Sequence, residues 1–169
     1  MPENLLIAVM GHQNSGKSTT WNDLFGDTVK TGKWCRMLWL NDNESVEVFL
    51  ISGSPQERQL DVEAILDGKR PRIVLYSLQY VDGVWATYDF FFRNDYSAFV
   101  QWLNPGYSDG AAYPDDLELI PRLLGQTTLL SMRDGTAPTE TRVQELRECI
   151  AGWARPRGLI QEAVVAAIV

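Results

Sequence analysis

At 169 residues, 45% of them hydrophobic, the chain is long enough to bury one full core, and a single domain is expected. A formal charge of −7, from 15 basic against 22 acidic residues, argues against a general nucleic-acid or anionic-membrane surface, because such surfaces neutralise phosphates with Lys and Arg. Cys35 and Cys149 lack a CxxC partner and read as core residues in a reducing cytosol, and with no leader, no stretch of about eighteen apolar residues and no lipidation box the expectation is a soluble, cytoplasmic protein.

The first element is the run Leu5-Leu6-Ile7-Ala8-Val9-Met10, unbroken apolar character of the kind expected in a strand buried on both faces. It leads directly into Gly11-His12-Gln13-Asn14-Ser15-Gly16-Lys17-Ser18, which satisfies G-x-x-x-x-G-K-[ST]. Four free residues between the glycines let successive backbone N–H groups curl around phosphates, a nest that bulky side chains at the glycine positions would obstruct. In this reading Gly11, Asn14, Ser15 and Gly16 form the cradle, and Lys17 reaches the outer phosphates. The Ser18 hydroxyl sits on Mg²⁺, and the first helical turn, with Thr19, offers unpaired N–H groups. Residues 18–25 read as a helix closed by Gly26. His12, the single histidine, reads as a loop side chain rather than a catalytic base.

Residues 34–40 and 45–51 follow as two strands joined by the turn Asn41-Asp42-Asn43-Glu44, a β-hairpin. Further along come a helix over 59–66, a strand over 72–77, a helix over 83–93, a strand over 98–103, a short helix over 117–124, a strand over 127–132 and a helix over 140–154. Helices alternating with apolar strands imply a mainly parallel sheet covered on both faces. The Gly-, Pro-, Tyr- and Asp-rich stretch 104–114 follows the carboxyl end of a strand, where α/β sheets bind ligands. Lys69-Arg70-Pro71-Arg72 reads as a solvated basic cluster, and the aromatic run 88–92 as a packed helix face. Trp21, Trp34 and Trp85 are candidates for a partner surface wherever they stand unburied. The apolar tail, 159–169, is expected to form a helix packed on the body, with self-association as the alternative.

This succession of strand, glycine-rich loop, helix, hairpin and three α/β units resembles the Ras-like GTPase layout over nearly the whole chain. Where that family carries D-x-x-G-Q-E/R, the chain reads Ser52-Gly53-Ser54-Pro55-Gln56-Glu57-Arg58, with only Gln56, Glu57 and Arg58 in register. The resemblance implies that Gln56 orients the attacking water. It sets Ser52 at the place of the magnesium-shell carboxylate and Pro55 at that of the switch glycine. Thr31, better placed than Thr28, is the matching magnesium threonine. The place of N-K-x-D is taken by Asn104-Pro105-Gly106-Tyr107, which keeps Asn104 as a base contact and leaves Asp109 as a substitute only if the loop folds back. Asp42 and Asp134 also follow apolar strands, but both read as turn residues.

The expectation is therefore an α/β, three-layer P-loop NTPase fold in one domain, 1–169. Its sheet is mainly parallel and six-stranded, with one antiparallel hairpin strand and helices on both faces. The ligands expected are Mg²⁺ and a nucleoside triphosphate, ATP or GTP. Function is expected as a slow Mg-dependent NTPase or nucleotide-gated switch with a protein partner or self-association, and without nucleic acid or membrane. A non-catalytic nucleotide-binding or interaction module is the alternative, and a small-molecule or nucleotide kinase the third reading.

Overall fold

The computed structural model describes residues 2–52 and 61–163; Gln56, Pro55 and the rest of the 53–60 stretch, with residues 164–169, lie outside them. In chain order the elements are β1 (Asn4–Gly11), α1 (Lys17–Phe25), β2 (Arg36–Trp39), β3 (Glu44–Ile51), α2 (Val62–Leu66), β4 (Ile73–Gln79), α3 (Val84–Arg93), β5 (Tyr96–Leu103), α4 (Leu119–Leu124), β6 (Thr128–Arg133), α5 (Glu140–Ala154), a 3-10 turn (Arg155–Arg157) and β7 (Gln161–Glu162). The sheet order is β2-β3-β4-β1-β5-β6, with β7 beside β3. Strands β3, β4, β1, β5 and β6 run parallel, while β2 and β7 run antiparallel to β3.

The architecture is thus α/β with a mostly parallel sheet. Two features depart from expectation. The sheet has a seventh strand among the described residues, and the start of the apolar tail supplies it. Residues 159–163 form no helix: the 3-10 turn containing Pro156 ends α5, Gly158 turns the chain at φ +69°, and Gln161 pairs with Ser45. In addition, β4 lies between β3 and β1, so the end of the hairpin, where Ser52 stands, is one strand removed from the strand that carries the glycine-rich loop.

Strand alternation divides β1 between two cores. Leu6, Ala8 and Met10 pack with Phe49, Tyr76, Tyr88, Phe91 and Trp102 under α3 and α4, whereas Leu5, Ile7 and Val9 pack with Trp21, Leu24, Val143, Leu146 and Ile150 under α1 and α5. Helix α3 buries Val84, Tyr88 and Phe91 at i, i+4 and i+7. Trp21 is fully buried, its indole Nε1 donating to Ser77 Oγ at 2.7 Å, which pins α1 to β4. Trp85 is half-buried, while Trp34 and Trp39 are exposed beside and on the edge strand β2. No described helix is long and apolar enough to cross a membrane.

Candidate functional site

The loop between β1 and α1 turns through two left-handed residues, Asn14 at φ +58° and Gly16 at φ +104°. At Gly16 any side chain is strained, so the glycine that opens the helix is dictated by backbone geometry. Thr20 N–H closes the first helical turn on Gly16 O at 3.0 Å. The N–H groups of Asn14, Ser15, Gly16, Ser18 and Thr19 find no acceptor among the described residues. They form a row of donors at the positive end of α1, the physical requirement for an anion cradle. The Lys17 side chain folds back over this row, Nζ donating to His12 O at 2.8 Å, Gly11 O at 3.2 Å and Ser15 Oγ at 3.3 Å.

Ser15, 1% exposed, is where three segments meet. A Cβ at Gly11 would stand 2.6 Å from Ser15 Oγ, one at Gly106 2.5 Å from Ser15 Cβ, and one at Gly135 2.6 Å from Ser15 O. Side chains at these positions would hold apart the end of β1, the loop after β5 and the loop after β6. Main-chain bonds lock the approach: Tyr107 N–H donates to Ser15 O at 3.0 Å and Gly135 N–H to Pro105 O at 2.7 Å.

The 104–114 stretch does fold back on the loop, held by its own side chains. Asn104 is buried and its amide bonds the Tyr113 main chain at both ends, Nδ2 to O at 2.8 Å and Oδ1 from N–H at 2.9 Å. Asp109 accepts Gly106 N–H on one oxygen at 2.6 Å and lies 2.9 Å from His12 Nδ1 with the other. The His12 imidazole stacks on the Tyr113 ring at 3.8 Å, and Trp102 Nε1 donates to Tyr113 Oη at 2.9 Å. Asn104 and Asp109 therefore spend their polar atoms on closing this loop.

A cavity of about 870 Å³ opens above it, with residues 13–19 on one wall and Tyr107, Ser108, residues 135–139 and Arg142 on the other. Ser18 lines it. Thr31 and Ser52 do not: the Thr31 hydroxyl donates to the Ser52 carbonyl, joining the two expected magnesium residues to each other rather than to Ser18. No Asp or Glu among the described residues lines the cavity, and none of them form a cluster of three or more His, Cys, Asp or Glu. Asp42 is exposed in the hairpin turn, and Asp134 accepts from Thr136 N–H and hydroxyl. Gln56 lies outside the described residues.

Arg142 is the charged cavity residue that sequence reasoning missed. It lies in the first turn of α5 and is 4% exposed. Its Nε donates to Thr20 Oγ1 at 3.1 Å and its Nη1 to Ala137 O at 3.0 Å. Gln101, fully buried on β5, fixes the same turn by donating to Arg142 O at 2.9 Å. Burial holds the guanidinium below its ordinary pKa, against the pull of Asp23, Asp134 and Glu140. Position 142 falls in the run Glu140-Thr141-Arg142, where nothing in the sequence marks a buried side chain.

A larger groove, about 1030 Å³, runs between α5 and the edge strand β6, lined by Leu129, Cys149 and Trp153 among others and by no residue of the glycine-rich loop. Burial pushes the Cys149 thiol up to about 11, and Glu145 adds to the shift, so its thiolate is scarce at neutral pH. Compared with known proteins, the chain matches no family model, no curated protein and no solved structure.

Proposed function

We propose that the cavity binds the phosphates of a nucleoside triphosphate, and that the protein is a P-loop NTPase-like protein working as a slow NTPase or nucleotide-gated switch. The observation that carries this reading is the row of acceptor-free N–H groups at the start of α1, covered by the Lys17 ammonium and opening into a nucleotide-sized cavity. In this reading the phosphates take the place of the Gly11 and His12 carbonyls as partners of Lys17 Nζ. The loop is held in shape beforehand by the three segments around Ser15, so little ordering remains to be done on binding.

Mg²⁺ fits this wall only in part. The described lining supplies the Ser18 hydroxyl and no carboxylate, so a cation would be held chiefly by the triphosphate's own oxygens. When bound it would offset charge on the phosphate oxygens. The protein's own contribution is positioning: Lys17 and the loop amides neutralise and orient. With no carboxylate on the described wall, turnover is expected to be slow, on the order of 10⁻⁴ to 10⁻² per second or below without a partner.

The test is calorimetric titration of nucleotide-stripped protein with ATP and GTP in Mg²⁺. Lys17→Ala should weaken binding roughly ten- to a hundred-fold, the loss of a charge-assisted contact. Equal affinity in wild type and variant would place the ligand elsewhere. The interaction-module reading draws on Trp34, 74% exposed, and Trp39, 53% exposed, at the sheet edge. It becomes the better one if wild-type protein binds neither nucleotide.

A further inference from the structure

We infer that Arg142 is a phosphate-binding residue of this cavity, directed at the phosphate nearest the nucleoside. The inference rests on the nucleotide-binding reading above and adds to it a residue.

Three observations carry it. First, the guanidinium is buried yet forms no ion pair among the described residues; its two hydrogen bonds go to a threonine hydroxyl and a main-chain carbonyl, both neutral. Asp23, Asp134 and Glu140 act on the guanidinium only from beyond ion-pair distance and do not outweigh its burial, so the buried charge remains costly and an anion bound beside it offsets that cost. Second, Nη2 has no acceptor among the described residues and is not sealed from the cavity, which Arg142 lines. It comes so close to Gly16 that a Cβ there would stand 3.2 Å away, which gives the second loop glycine a further role as the gap through which the guanidinium reaches the cradle. Third, the two cations flank the loop from opposite ends. Lys17 Nζ lies over Gly11 and His12, Arg142 under Gly16 and Thr20, on the wall shared with residues 135–139. A phosphate chain laid along the loop amides meets Lys17 at its outer end and Arg142 at its inner end. The nucleoside is then left to the wall formed by Tyr107, Ser108 and residues 136–139. The planar fork of arginine suits an inner phosphate, which presents two adjacent oxygens.

The test compares wild type, Lys17→Ala and Arg142→Gln by calorimetry against ATP, GTP and inorganic tripolyphosphate. Lys17→Ala should weaken all three. Arg142→Gln should weaken both nucleotides roughly ten- to a hundred-fold, and tripolyphosphate as well, because its third phosphate reaches the same place. Nucleotide binding unaltered by Arg142→Gln overturns the inference while the nucleotide reading stands. If wild type binds none of the three, the nucleotide reading itself fails and the inference with it.

Because Arg142 also supports Thr20 and Ala137, a second measurement uses the wild-type protein. The Arg142 guanidinium ¹⁵N resonance, assigned by its loss in Arg142→Lys, should move on addition of AMP and stay in place on addition of adenosine. No movement with AMP overturns the inference.

Discussion

Asp109 has one carboxylate oxygen on Gly106 N–H and the other beside His12 Nδ1, and Asn104 has both ends of its amide on Tyr113. Guanine is told from other purines by an acceptor for its N1–H and 2-amino group, and the oxygens of both residues are turned into the loop, onto Gly106, His12 and Tyr113, while neither residue lines the cavity. GTP and ITP, which differ only in that amino group, should therefore bind within about threefold of each other, since a well-made pair of this kind is worth about 1–3 kcal/mol. Competition titration measures the ratio directly, and a GTP advantage near a hundredfold would mean that an acceptor reads the base after all. The cradle itself was legible in the sequence because its spacing is local: Gly11, Gly16 and Lys17 act on neighbours within six residues. Arg142 was not, because what makes it part of the site is a contact with Thr20 across more than a hundred residues, and nothing in Glu140-Thr141-Arg142 distinguishes a buried arginine from a solvated one.

At the scale of elements, the site depends on three loops packed without side chains between them. Gly106→Ala places a Cβ 2.5 Å from Ser15 Cβ and 2.8 Å from Ser15 Cα, a backbone neighbour that cannot rotate away. Overpacking of this sort costs about 1–3 kcal/mol, and it should also weaken nucleotide binding because the displaced partner is the cradle residue Ser15. Gly152→Ala is the matched control. Gly152 lies in α5, and a Cβ there meets nothing within 4 Å, so the change should stabilise the protein by about 0.5–1 kcal/mol and leave binding alone. Urea unfolding with a nucleotide titration checks both; the same sign for the two substitutions would remove the packing argument. The alternating strands and helices of this framework were readable because each buried strand is a continuous apolar run and α3 repeats its apolar residues at helical spacing. The start of the tail, residues 159–163, departs from the helix expected there for a related reason. An apolar run after Gly158 is compatible with helix or strand, and what decides it is the open N-terminal end of β3, which offers Ser45 and Glu44 as partners.

Over the whole molecule, strand order was the least legible property, because apolar runs state that strands are buried and not which strand lies beside which. The placement of β4 between β3 and β1 and the capture of β7 by β3 are both long-range outcomes. Glu44 ties the second of these together. Its carboxylate accepts both Arg155 Nη groups, at 2.7 and 3.2 Å, and Asn41 Nδ2 at 2.8 Å, while its own strand position pairs with Glu162. The Arg155 bonds first and the Asn41 bond second pull its pKa from an ordinary 4.5 down to about 2. A carboxylate depressed on folding adds stability that is present above its unfolded pKa and is lost as the pH falls through the folded one, so this contribution fades between about 4.5 and 2. Glu145 titrates in the same direction: burial alone would raise it, but the bonds from Arg133, Ser131 and Gln101 outweigh that and lower it, so wild type keeps an acid limb of its own. Glu44→Gln should remove only part of the limb. The difference between the two unfolding curves should be present at pH 6, vanish near pH 2, and shrink in high salt because the pair is exposed to solvent. Amide exchange at Ala163, whose N–H donates to Asn43 O at 2.7 Å, localises the effect. It should quicken in Glu44→Gln at pH 6 and not at pH 2, and identical exchange in the two proteins at both pH values would mean that Glu44 does not hold the C-terminal strand to the hairpin.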